Sequence, residues 1–264
     1  MMKMAMSGAS GRMGKMLIEA VVKADDMTLA AALCPTGDAM IGQDAGAFMG
    51  AATGVLVTDD IEALKGCDVL IDFTRPAGTL AYLAFCREHG IGVVIGTTGF
   101  DAQGKAAIEA AAGDIPVVFA PNMSVGVNAA FKLIEVAAKL LADYDCEIVE
   151  MHHKHKVDAP SGTALEMGRR VAAARGAKFE DVAVLSREGH TGERRPGSIG
   201  FAALRGGDVV GDHTVIFAST GERIEISHKS GSRAGYAQGS LAAARFILKK
   251  NNGLFSMSDV LGLS

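Results

Sequence analysis

The chain has 264 residues, 49% hydrophobic and 21% charged, with a formal net charge of −4. That is the composition of a globular protein, long enough for one large domain or two modest ones, and its balance offers no basic face for nucleic acid. No apolar run reaches the roughly 18 residues of a membrane span, and residues 1–6 meet Ser7-Gly8 without the length or cleavage pattern of a signal peptide. The expected location is cytoplasmic, with no membrane partner. The scattered Cys34, Cys67, Cys86 and Cys146 form no ligand spacing and read as small buried hydrophobes in a reducing compartment.

Short apolar runs at 3–6, 27–33, 55–58, 68–73, 92–97 and 116–120 alternate with Ala-rich segments of helical spacing at 15–23, 77–89 and 102–112. Continuous apolar strands between helices predict a parallel sheet covered on both faces. The Gly-rich stretch 35–54 reads as a loop with one short helix. A long helix from 124 to about 142 leads into a strand at 146–151. The pattern then changes to a helix near 163–175, a Gly- and Arg-rich stretch at 186–200, and strands at 199–204, 213–218 and 223–228. Those sequential strands predict a mostly antiparallel or mixed sheet. A last helix, 234–249, is apolar on one side.

The first chemical signal is Gly8-Ala9-Ser10-Gly11-Arg12-Met13-Gly14, between the first strand and the first helix. Glycine is needed where backbone turns sharply and approaches a pyrophosphate, and the helix presents free N–H groups to that charge. The competing reading is a plain Gly-rich turn; the strand–glycines–helix order favours dinucleotide binding. The acid that grips an NAD ribose should end the second strand, but Leu33-Cys34-Pro35-Thr36 stands there. With no carboxylate identified and Arg12 near, the cofactor is NADPH or NADH, with a slight lean to NADPH. Two segments follow later strands and are placed to line a ligand crevice: Gly96-Thr97-Thr98-Gly99 and Ala120-Pro121-Asn122-Met123. Ordinary turn chemistry explains them equally well, and the same holds for Asp72-Phe73-Thr74.

The second signal is the run from Glu147 to Ala164, where His152, His153, Lys154, His155 and Lys156 are consecutive. Such a cluster is often a solvated face, and its histidines offer metal-ligand spacing. Two lysines and the lack of a third ligand weigh against a metal. Pro160-Ser161-Gly162-Thr163 opens a helix, with Thr163 and Glu166 spaced as a capping box, and the plain reading makes Thr163 and Ser161 caps and nothing more. Beside lysines and histidines, that helix start reads as a trap for an anionic substrate.

This run resembles the signature of the dihydrodipicolinate reductase family, E-[IV]-x-E-x-H-H-x-x-K-x-D-x-P-S-G-T-A, at every fixed position. The resemblance extends to G-x-x-G-R-M-G at the start, Asp72-Phe73-Thr74, Gly96–Gly99, the N-x-S-x-G-V-N run at 122–128, the R-x-G-x-x-G-x-R run from Arg187 to Arg194, and Ser232-Arg233. It implies an α/β protein: an N-terminal Rossmann-type dinucleotide-binding domain at 1–123, a C-terminal α+β mixed-sheet domain for substrate binding and oligomerisation at 124–233, and a helix at 234–264 returning to the first domain. It implies a homotetramer that reduces 4-hydroxy-tetrahydrodipicolinate, via dihydrodipicolinate, in lysine and diaminopimelate biosynthesis. His152 is then the acid/base group and Lys156 the proton donor, with no metal. His153, Lys156, Thr98, Ser161, Gly162 and Thr163 hold a small dicarboxylate. Gly8, Ala9, Ser10, Gly11, Arg12, Met13, Gly96, Thr97, Thr98, Ala120, Pro121, Asn122 and Met123 line the cofactor. Another Rossmann-type NAD(P) reductase of a small anionic substrate, a metal-dependent hydrolase and a cofactor-sensing binding protein are the alternatives.

Overall fold

The structure is a computed structural model describing residues 1–263. In chain order its elements are β1 (Met2–Ser7), α1 (Arg12–Val22), β2 (Met27–Leu33), β3 (Val57–Thr58), β4 (Val69–Asp72), α2 (Pro76–His89), β5 (Gly92–Ile95), α3 (Ala102–Ala112) and β6 (Pro116–Phe119). There follow α4 (Val125–Leu140), β7 (Asp145–His152), α5 (Gly162–Ala174), α6 (Phe179–Val182), β8 (Ala183–Val184), β9 (Ile199–Arg205), β10 (Gly211–Ser219), β11 (Glu222–Ser230), α7 (Ala234–Ile247), β12 (Gly253–Phe255) and α8 (Met257–Leu261). The chain divides into two compact units, one made of residues 1–125 and 233–264, the other of residues 126–232.

The first unit holds a seven-stranded parallel sheet in the order β12-β6-β5-β4-β1-β2-β3. Its strands are apolar on both faces because both are covered. Met4, Met6, Val69, Ile71 and Val94 pack on one side with α1 and α7; Ala5, Leu70, Val93 and Ile95 pack on the other with α2 and α3. Strand order reverses between β1 and β4, the switch point at which open α/β sheets bind ligands. The loop from 34 to 56 carries one 3-10 turn, Ala47–Met49. Helix α7 lies so close to the segment before α4 that a side chain at Gly239 would meet the Met123 carbonyl at 1.7 Å. The short β12 and α8 escape sequence reading; β12 adds an edge strand beside β6.

The second unit holds a five-stranded mixed sheet, β11-β10-β7-β9-β8. Strand β7 runs parallel to β9 and antiparallel to β10. Cys146, Ile148, Ile199, Phe201, Val215 and Phe217 form its core with Phe131 and Ile134 of α4 and Met167 and Val171 of α5. The other face carries Val149, Met151, Ala202, Leu204 and Ile216, half-buried or exposed. All four cysteines are buried and free, and burial pushes the Cys86 and Cys146 thiols up to about 12.

Candidate active site

The second unit's site grows from the alternation of β7. Cys146 and Ile148 point into the apolar core, and the next two residues on that face are Glu150 and His152, 1% and 8% exposed. Register brings their neighbours: His213 of β10 lies opposite Glu150, and Arg205 of β9 opposite His152. One end of an apolar face is therefore polar.

Glu150 is its hub. It accepts from Arg205 Nη1 and Nη2 at 2.8 Å each, from His152 Nδ1 at 2.7 Å and from the Ser161 amide at 3.0 Å. Burial alone would raise its pKa; the Arg205 and His152 hydrogen bonds outweigh that and hold it below the ordinary carboxylate range. An anionic Glu150 fixes the proton on His152 Nδ1 and leaves Nε2 as the ring's available nitrogen. Gly211 makes room there, since a Cβ at that position would stand 3.0 Å from Nε2. His152 also meets His213 edge to face, ring centroids 5.1 Å apart. Burial first, and the His152 charge second, push the His213 pKa down from 6.5 to about 4.

Ser161 Oγ caps α5 by accepting from the Ala164 amide at 3.2 Å and lies 2.9 Å from His213 Nε2. The Thr163–Glu166 capping box expected from spacing does not form: Thr163 sits inside the first turn, and Glu166 accepts from Arg170 Nε at 2.8 Å. Beyond His152 the chain leaves the sheet. Lys156 Nζ reaches Asp158 Oδ1 at 2.8 Å, and the Lys156 bond holds the Asp158 carboxyl below its usual range. The His153 ring is 6.1 Å from that of His155, and its buried Nδ1 has no hydrogen-bond partner. Gly162 is exposed and Thr163 half-buried. Among the described residues no group of three or more His, Cys, Asp or Glu is disposed to hold a metal. Arg187 and Arg194 both bind Glu147, on the sheet's other face.

The first unit carries the other predicted segments, each directly after a strand of the parallel sheet. Gly8 has φ +66°, and no side chain caps the start of α1. A Cβ at Gly14 would stand 2.1 Å from the Gly8 carbonyl, which makes glycine obligatory for that close approach. Ala9 is buried, its amide donating to Leu33 at 3.0 Å; Arg12 is exposed. Exposed Pro121 and Thr98 flank this edge, whereas Ala120, Asn122 and Met123 are buried, the last in the core.

Asp72, which the sequence leaves between crevice lining and turn chemistry, is the residue that organises these loops. Asp72, fully buried, accepts from Ser7 Oγ at 2.5 Å, Thr74 Oγ1 at 2.8 Å, Thr79 Oγ1 at 2.5 Å and Thr97 Oγ1 at 2.7 Å. Thr97 Oγ1 also accepts from the Thr74 amide at 2.8 Å, so its one proton is spent within the protein. The uncapped helix, the left-handed Gly8 and the Cβ-free contact at Gly14 fit a dinucleotide pyrophosphate.

Comparison with known proteins agrees with this geometry. The family model for the N-terminus of dihydrodipicolinate reductase matches residues 2–123, and that for its C-terminus matches residues 126–261. The 4-hydroxy-tetrahydrodipicolinate reductase of Cupriavidus metallidurans is 63% identical over 99% of this chain and 100% of its own length. That of Polynucleobacter necessarius is 61% identical over 99% of both. Among solved structures, a dipicolinate-bound dihydrodipicolinate reductase from Paenisporosarcina sp. TG-14 shares the fold, with a TM-score of 0.77, 24% identity and 97% of each chain covered. An amine dehydrogenase from Mycobacterium smegmatis shares it more loosely, at a TM-score of 0.61 and 13% identity over 97% of this chain and 95% of that one. With both halves matched and close relatives aligned end to end, this chain belongs to the dihydrodipicolinate reductase family.

Proposed function

We infer that this chain carries out its family's reaction, the NAD(P)H-dependent reduction of 4-hydroxy-tetrahydrodipicolinate, via dihydrodipicolinate, to tetrahydrodipicolinate in lysine and diaminopimelate biosynthesis. The observation that carries this reading is end-to-end identity of 61–63% with reductases named for that substrate. NADH or NADPH supplies the hydride when bound. Gly8 to Met13, Gly96 to Thr98 and Ala120 to Met123 would hold it.

The chain's own residues bind the substrate and manage protons. His152, held by Glu150, presents Nε2 as the acid/base atom. Lys156 keeps its ammonium against Asp158 until a carboxylate competes for it, then neutralises the substrate's growing negative charge by giving a proton. Within the second unit, His153, Lys156 and the Gly162 and Thr163 amides at the start of α5 are placed to take substrate carboxylate. Ser161 acts through position: its amide is taken by Glu150, and its hydroxyl lies between the Ala164 amide and His213.

An assay following cofactor oxidation with freshly generated substrate tests the reading. Turnover with NADH or NADPH supports it; no turnover with either refutes it.

The assembly is a homotetramer in the cytoplasm. Supporting this are the second sheet's outer face, where Val149, Met151, Ala202, Leu204 and Ile216 lie uncovered by the unit's own helices, and four free cysteines suited to a reducing compartment.

A further inference from the structure

The acid expected at the end of β2 is missing from Cys34-Pro35-Thr36, but the fold brings one back by another route. Cys34 is buried, and its Sγ accepts from the Ser10 amide at 3.2 Å, pinning the end of β2 against the glycine loop. The chain then turns, with the Asp38 amide donating to the Pro35 carbonyl at 3.1 Å. Asp38 Oδ2 thereby accepts from Ser10 Oγ at 2.6 Å, and Oδ1 from the Met40 amide at 2.9 Å. Asp38 is only half-buried, and each oxygen keeps a lone pair for another donor. The Ser10 and Met40 hydrogen bonds hold its carboxyl below the usual range, with Lys15 adding a smaller pull, so it is anionic at neutral pH.

We propose that Asp38 reads the cofactor's adenosine ribose, accepting from the 2′-hydroxyl of NADH and repelling the 2′-phosphate of NADPH. This rests on the dinucleotide-binding reading above and reverses the lean to NADPH, which assumed that no carboxylate stood near the glycine loop. A carboxylate grips a vicinal hydroxyl and opposes a doubly charged phosphate. Lys15 and the exposed Arg12 moderate that repulsion, so the preference is about tenfold, or about 1.4 kcal/mol.

Equilibrium binding of NADH and NADPH, read by reduced-nicotinamide fluorescence in a chain without tryptophan and by calorimetry, provides the test without turnover. In the native protein NADH should bind about tenfold more tightly. Asp38→Asn, which keeps a side chain able to bond Ser10 and Met40, should bring the two affinities within about twofold, chiefly by tightening NADPH. Asp38→Ser, short and uncharged, should do the same. A merely structural Asp38 would weaken both cofactors alike and leave their ratio unchanged. An unchanged ratio in both variants, or native preference for NADPH, overturns the proposal. Binding of neither cofactor by the native protein would overturn the dinucleotide reading itself, and this proposal with it.

Discussion

Replacing Glu150 by glutamine tests whether a buried carboxylate sets the state of His152. The change keeps the shape and removes one charge from a side chain that is 1% exposed. Four N–H donors converge on Glu150, from Arg205, His152 and the Ser161 amide. A glutamine has one acceptor oxygen and turns its NH2 group towards at least one of those donors. Breaking a buried ion pair by removing one partner costs about 3–5 kcal/mol. The Arg205 side chain is 21% exposed, and water partly replaces what it loses, which brings the figure to about 2–3 kcal/mol. At about 2–4 °C per kcal/mol, Tm falls by about 5–10 °C. The larger effect is on chemistry: without an anion opposite Nδ1, the imidazole no longer keeps its proton there, and kcat falls by on the order of 10³-fold. Calorimetric melting gives the first figure, and cofactor oxidation at saturating substrate the second. The pH dependence adds a sign. Because the native pKa of Glu150 is depressed, its contribution is complete above the unfolded carboxylate value and lost as pH falls through the lower native one. The variant should lack that part of the acid limb. A variant that melts earlier but keeps kcat within tenfold would refute the tautomer argument and leave Glu150 a structural group.

Lys156→Met keeps length and removes the proton and charge; kcat should fall by on the order of 10²–10⁴ with dinucleotide affinity unchanged, and retained turnover would remove Lys156 from the mechanism. His213, with its native pKa pushed from 6.5 to about 4 by burial first, takes up a proton on unfolding between those values, so stability declines as pH drops through that window, by about 3 kcal/mol in all. Urea unfolding across it should show a shallower decline for His213→Asn, and identical slopes would contradict the assignment. Light scattering at micromolar concentration should give four times the 27.3 kDa chain mass, and a monomer mass would leave the outer face of the second sheet without its proposed partner.

Much of this was legible beforehand. Period and flanking turns located β1, β2, α2 and α3 because each buries a regular apolar pattern against a covered sheet. The Glu147–Ala164 run named His152 and Lys156. Glu150 was within reach too: it lies two residues before His152, on the same face of one strand. Arg205 and His213 were not, since only the pairing of β7 with β9 and β10 brings them to Glu150 across 55 and 63 residues. Asp38 was missed because the rule looks for an acid at the strand end, whereas here a loop folds it back onto Ser10. Of the two hydroxyls that the sequence offers as caps of α5, Ser161 is the N-cap, and the box expected of Thr163 fails because the Glu166 that favoured it is drawn off by Arg170.

The four hydroxyls on Asp72 tie together parts of the chain remote in sequence. Ser7 immediately precedes the glycine loop, Thr97 lies in the segment after β5, and Thr74 and Thr79 bracket the start of α2. The edges of β1, β4 and β5 therefore cannot shift independently, because each is fastened to the same two oxygen atoms. The order of the cofactor-facing loops is inherited from folding, and a ligand arriving there meets a surface whose conformational entropy has already been surrendered. Ser7 and Thr79, neither of which faces that ligand, thereby become determinants of affinity from beneath the surface.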